Sequence, residues 1–88
     1  MAVRHRATKR FWKSYETLPE EVREAADRAY ALLKVDPSHR SLRFKEIEGL
    51  WSARVGRRYR ALAVQDEEDF IWVWIGTHAE YDRLIRTR

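Results

Sequence analysis

Apolar residues recur at three-and-four spacing in the first part of the chain and at every second position later, and the change of period falls near Ser41. Phe11, Trp12, Tyr15 and Leu18 form one helical stripe, with Thr8 placed to cap a helix that runs to about Thr17. Pro19 ends that helix and suits the first turn of another. Its missing N–H is harmless there, and Glu20 and Glu21 complement the positive end of the helix dipole. Val22, Ala25, Ala26, Ala29, Leu32 and Leu33 mark the buried side of this second helix, which Asp36-Pro37 stops. The pattern predicts an antiparallel αα hairpin with one shared apolar side.

From Ser41 onward the alternation predicts strands. Leu42 and Phe44 oppose Arg43 and Lys45 in a first strand to about Ile47. Trp51, Ala53 and Val55 then alternate with Ser52 and Arg54, Gly56-Arg57 interrupts, and Tyr59, Ala61 and Ala63 alternate with Arg58, Arg60, Leu62 and Val64. That is the pattern of a β-hairpin. Parity sends Arg54 to the face opposite Trp51 and Val55 and gives Arg58 and Arg60 a common face, so that cross-strand register would gather all three. Leu62 and Val64 share this parity, which divides the face into a polar cleft near the turn and an apolar half that Leu84 and Ile85 would cover.

An acidic run from Gln65 to Asp69 leads into Phe70–Ile75, apolar at every position and therefore expected in the middle of the sheet. Trp72 and Trp74 share a parity within it and read as core. Gly76 ends the strand, and Thr77 with Glu80 forms a capping box opening a short helix to about Arg86. A further strand is weakly indicated over Ala2 to Ala7. The expected class is α+β: an N-terminal αα hairpin packed on a small, mostly antiparallel sheet, with a short C-terminal helix, in one domain spanning residues 1–88.

Composition narrows the classes of function. With no cysteine, neither disulfides nor a thiolate metal site supports the core, which suits a reducing cytosol. No apolar segment approaches the roughly 20 residues that span a bilayer, and the amino terminus lacks a signal-peptide core, so a soluble cytoplasmic protein is expected. The net charge of +4 favours anionic partners. Its distribution is more telling, because four arginines lie between Gly49 and Val64 while no acid stands between Glu48 and Asp66. Like charges side by side on a sheet repel, and a cluster without interspersed acids points to phosphate. The alternative is a solvated basic face that holds an acidic protein segment.

The ordered pattern L-x-F-K-x-I-x-G-L-W-S-x-R-V-G-x-x-Y-R with a later G-x-H is carried by Leu42, Phe44, Lys45, Ile47, Gly49, Trp51, Ser52, Arg54, Val55, Gly56, Tyr59, Arg60, Gly76 and His78. It resembles the RelE/ParE superfamily of bacterial toxin-antitoxin toxins, over about Thr8 to Ile85. The resemblance implies a toxin neutralised by a cognate antitoxin protein. Its RelE-like branch cuts mRNA on the ribosome and its ParE-like branch poisons DNA gyrase, so fold alone does not choose the target.

On the RelE-like side, the resemblance implies that Arg54 and Arg60 flank the scissile phosphate, where a guanidinium fork fits phosphate oxygens better than lysine does. His78 falls where some members carry a catalytic histidine, whereas His5 and His39 have no comparable setting. Arg43, Lys45 and Arg58 extend the positive face as substrate-binding residues. Tyr81, one helical turn after His78, is placed either to meet substrate or to pack. Glu46 and Glu48 read as solvated strand-end charges. No metal or cofactor is implied. Many RelE-like members have arginine directly after the histidine, where Ala79 stands here, and a tyrosine somewhat later than Tyr81. The expectation is a ribosome-dependent mRNA endonuclease, with a gyrase inhibitor or a catalytically degenerate protein-binding domain as alternatives.

Overall fold

The computed structural model describes residues 3–86. In chain order the elements are β1 (His5–Ala7), α1 (Lys9–Glu16), α2 (Glu20–Val35), β2 (Lys45–Ile47), β3 (Leu50–Val55), β4 (Tyr59–Asp66), β5 (Asp69–Thr77) and α3 (His78–Arg86). The strands form one sheet in the order β1-β5-β4-β3-β2, with β1 parallel to β5 and every other pair antiparallel. The all-apolar strand is interior, as its composition requires. The weak strand signal at the amino terminus corresponds to β1, although Ala2 lies outside the described residues.

The Thr8 hydroxyl accepts from the Phe11 N–H at 3.1 Å, and the Thr8 N–H donates to the Trp72 carbonyl at 3.0 Å. One residue thus starts α1 and fastens that start to β5. Pro19 takes the cap position of α2, with Glu20 and Glu21 in its first turn. The two helices are joined through Leu18, which is buried, and through the Tyr15 hydroxyl, which donates to Asp27 at 2.7 Å. α1 lies over β5 and α2 over β3, on the face where Ala53, Ala61 and Ile75 form one cross-strand row and Trp51, Ala63 and Trp72 another. The small side chains of β4 on this face let the helices approach a core completed by Leu33, Leu42, Val55 and Phe70. Trp12 departs from the expected stripe. It is 49% exposed and packs edge-on against Phe11 and Tyr15 at the outer rim.

Two irregularities correct the alternation read from sequence. β2 begins at Lys45 rather than Ser41, because Arg43 adopts a left-handed φ of 45° and breaks the extended chain before the strand forms. The Leu42 carbonyl nevertheless accepts the Arg54 N–H at 2.6 Å, so the loop stays fastened to β3. In β5 the register slips between Leu62 opposite Trp74 and Ala63 opposite Trp72, leaving Val73 as the extra residue of a bulge. Trp72 therefore joins the helix-side core while Trp74 turns to the other face, contrary to their shared parity. Glu48 and Gly49 both take positive φ, 51° and 87°, the conformation of a two-residue type I′ hairpin joining β2 to β3.

His5 anchors the parallel edge. Its ring stacks on Phe70 and Trp72, meets Tyr30 edge-on, and accepts the Trp72 indole N–H on Nδ1 at 3.1 Å. That bond requires a neutral imidazole. Burial pushes the His5 pKa below its ordinary 6.5, opposed by Asp69 and reinforced by Lys34. A histidine depressed in the fold contributes stability that is present above its unfolded pKa and is lost as pH falls, because the unfolded chain takes up the proton more readily. Urea unfolding of the wild type should therefore show stability declining as pH drops below about 6.5, and His5→Phe should remove that part of the decline. Equal pH slopes for the two proteins would contradict the assignment.

Candidate functional site

The face of the sheet opposite α1 and α2 carries the rows Ser52–Leu62–Trp74 and Arg54–Arg60–Gly76. Arg54 and Arg60 are direct cross-strand partners. Arg60 is only 9% exposed; its Nη1 donates to the Oγ of fully buried Ser52 at 3.2 Å, and its guanidinium carbon lies 5.2 Å from the centre of the Tyr81 ring. The Arg60 Nε is buried with no hydrogen-bond partner among the described residues. Arg54 bends toward the hairpin turn, where its Nε donates to the Gly56 carbonyl at 2.9 Å. Gly56 supports that turn with a φ of 61°, a region glycine enters without a Cβ penalty.

These side chains wall a concavity of about 200 Å³ lined by Arg43, Arg54, Arg57, Tyr59, Arg60 and His78. Four guanidinium groups converge there, and among the described residues no carboxylate lines it. A set of cations without acids is repulsive until an anion enters, and guanidinium donors suit the oxygens of phosphate.

α3 brings the imidazole. The capping box forms as expected: the Glu80 N–H donates to the Thr77 hydroxyl at 3.1 Å, and the Glu80 carboxylate accepts the Thr77 N–H at 3.0 Å. The Thr77 N–H, with its hydroxyl, holds the Glu80 carboxyl below the usual carboxylate range. His78 is the first residue of α3, and its N–H donates to the Arg58 carbonyl at 2.6 Å, which fixes the helix start to the hairpin turn. The His78 Nδ1 lies 3.4 Å from the Asp82 carboxylate one turn along, and the ring meets Tyr81 edge-on at 5.8 Å. Gly76, across from Arg60, lets the Trp74 indole close over the backbone; a Cβ there would collide with that ring.

The three residues expected to carry chemistry, Arg54, Arg60 and His78, are brought together, and Arg43 joins them from its loop. Other expectations need correction. Arg58 sits in the turn before β4 rather than on the strand, is exposed, and contributes its carbonyl to α3 while its neighbour Arg57 lines the cleft. Lys45 is exposed on β2 opposite Ser52 and does not line the cleft. Tyr81 is 6% exposed and lies against Arg60, which leaves no free face for a base to stack on. It, rather than Leu84 or Ile85, is the buried residue of α3. Glu46 pairs with Trp51 and is exposed, and Glu48 occupies the type I′ turn.

Sequence reasoning missed Ser52, Arg57, Tyr59 and Asp82. Ser52 shares its parity with Arg54, and Asp82 follows His78 at the i,i+4 spacing of facing helical residues, so both carried a signal. Arg57 and Tyr59 reach the cleft through the geometry of the turn, which alternation does not encode. Among the described residues no group of three or more His, Cys, Asp or Glu is arranged to hold a metal, and no helix is long and apolar enough to cross a membrane. A second concavity of about 190 Å³ opens on the opposite side of the sheet between α1 and α2. It is mostly apolar, with Phe11, Trp12, Tyr15, Tyr30 and His5 among its walls.

Known structures share this fold. YafQ from E. coli strain BL21(DE3) superposes with a TM-score of 0.72 at 13% identity, covering 90% of this chain and 97% of that one. RelE of the archaeal RelE–RelB complex from Pyrococcus horikoshii OT3 gives 0.69 at 20% identity, over 88% and 96%. The YoeB/ParE toxin from Agrobacterium tumefaciens gives 0.66 at 15% identity, over 86% and 99%. No curated protein matches the sequence. The model of the ParE-like toxin domain matches residues 20–83, from the start of α2 into α3 and so across the whole cleft. The chain belongs to the ParE-like toxin domain family, and with it to the RelE/ParE superfamily of toxin-antitoxin toxins.

Proposed function

We propose that this chain is the toxin of a type II toxin-antitoxin module and acts as a metal-independent, ribosome-dependent mRNA endonuclease that inhibits translation. The observation that carries this reading is the cleft, where four guanidinium groups and one imidazole converge without a carboxylate in the lining. Cleavage within a strand of RNA needs a base for the 2′-hydroxyl and positive charge around the phosphorus. Arg54 and Arg60 supply the charge, with Arg43 and Arg57 holding flanking phosphate. His78 takes the 2′-hydroxyl proton, the 2′ oxygen bonds to phosphorus, and the bond to the 5′ oxygen breaks, that oxygen taking its proton from solvent. The products are a 2′,3′-cyclic phosphate and a free 5′-hydroxyl.

The rigid part of this machinery is Arg60, held by Ser52 and Tyr81. Arg60→Ala should lose on the order of a hundredfold or more in cleavage of ribosome-bound message, and Arg60→Lys should recover only part, because a point charge does not replace the fork. An Arg60→Ala protein that folds normally and cuts at the wild-type rate would remove this residue from the mechanism.

A second reading, a DNA gyrase inhibitor, is favoured by the ParE-like description of the matching domain model. Induction of the wild type without its antitoxin separates the two. The nuclease reading expects rapid arrest of protein synthesis and message ends clustered within codons, with DNA intact. Early DNA breaks with translation continuing would transfer the assignment to gyrase.

The proposed partner is a cognate antitoxin. Several structural neighbours were solved with one, including RelE with RelB from Methanococcus jannaschii and YafQ with DinJ from E. coli. For this chain, an acidic segment would meet Arg54, Arg57 and Arg60 while apolar side chains enter the groove between α1 and α2. Charge steering then dominates encounter. Raising salt from about 50 to 500 mM should slow association far more than it speeds dissociation. Association indifferent to salt would exclude the basic cleft as the dock.

A further inference from the structure

Four guanidinium groups give the cleft its charge, yet the proton transfer proposed above depends on which nitrogen of a single imidazole is free. Neutral imidazole has one N–H and one lone pair, and a hydrogen bond at one nitrogen decides which is which. The His78 Nδ1 faces the Asp82 carboxylate at 3.4 Å. Both residues belong to α3, four apart, so the helix itself sets the pairing. Tyr81 meets the same ring edge-on while lying against Arg60, so the plane of the imidazole is contacted from the element that also supports the buried arginine.

We infer that Asp82 is a positioning residue that holds His78 in its Nδ1–H form and leaves the Nε2 lone pair to take the substrate proton. This rests on the nuclease reading of the cleft. Asp82 does not line the cleft, so its charge does not neutralise the guanidinium groups that phosphate requires. It acts through the imidazole instead. When Nε2 accepts the 2′-hydroxyl proton, the ring becomes a fifth cation among four arginines, which Coulomb repulsion opposes. In this arrangement the Asp82 carboxylate accepts the Nδ1–H and offsets that repulsion, as a carboxylate does behind a catalytic histidine elsewhere. No bond to Asp82 forms or breaks.

The test compares the full-length wild type with Asp82→Ala and Asp82→Glu. Alanine removes the acceptor at a partly exposed helical position without introducing a new donor. Long-range proton–nitrogen NMR of the His78 ring, at a pH where it is neutral, should show mainly the Nδ1–H form in the wild type. Asp82→Ala should reverse this to the Nε2–H form, and Asp82→Glu should retain at least part of the wild-type population. In cleavage assays kcat should fall by on the order of tenfold or more in Asp82→Ala with KM little changed, and Asp82→Glu should recover part of the loss. A wild-type ring already in the Nε2–H form, or one unchanged by Asp82→Ala, overturns the inference, and so does a reversed tautomer with an unchanged kcat. Wild-type protein that cleaves no message sinks the nuclease reading separately, and the tautomer comparison still decides the placement of Asp82.

Discussion

Arg54 and Arg60 stand directly opposite each other on neighbouring strands with no acid between them, and much of the structure is arranged to hold that repulsive pair in place. Ser52 gives Arg60 one hydrogen bond from within the sheet, and Tyr81 presents its ring from α3. Gly56 offers its carbonyl to Arg54. None of these partners carries a negative charge, so the guanidinium groups are oriented without being neutralised. Orphaned Nε of Arg60 is a buried donor whose desolvation opposes folding in the free protein. Such a cost is tolerated at functional sites because the rest of the fold over-determines the geometry.

The sheet keeps this charged face apart from the apolar one. Ala53, Ala61, Ala63 and Ile75 belong to the helix side and form the core beneath α1 and α2. Hydrophobic burial on that side can then support a polar cleft on the other, with Leu62 and Trp74 on the same face and Tyr81 against Arg60. The two concavities lie on opposite faces and have opposite character, one cationic and one lined mainly by aromatic and aliphatic side chains.

Much of this was readable from residue order. The Thr8 and Thr77 caps, the Pro19 break and the interior position of the strand from Phe70 to Ile75 follow from local chemistry that the fold does not override. Arg54 and Arg60 were legible because period-two alternation and a short turn fix their register. Failures occurred where one residue left the regular geometry. The left-handed Arg43 delayed β2, the bulge at Val73 parted Trp72 from Trp74, and a three-residue turn moved Arg58 out of the cleft and Arg57 into it. Tyr81 stayed open between substrate and packing for another reason: which way an aromatic on a short amphipathic helix turns depends on what lies beneath it, and Arg60 lies beneath it.

The most direct measurement is a double-mutant cycle between Arg54 and Arg60, each replaced by Met, with folding stability read from denaturant unfolding. It is run first in low-salt buffer free of phosphate and sulfate, then with phosphate added. A cleft built to receive an anion predicts coupling that is repulsive by on the order of 1 kcal/mol without phosphate and becomes favourable with it. Coupling that is absent in both buffers, or attractive before any anion is added, would contradict the view that these two arginines are held together for phosphate.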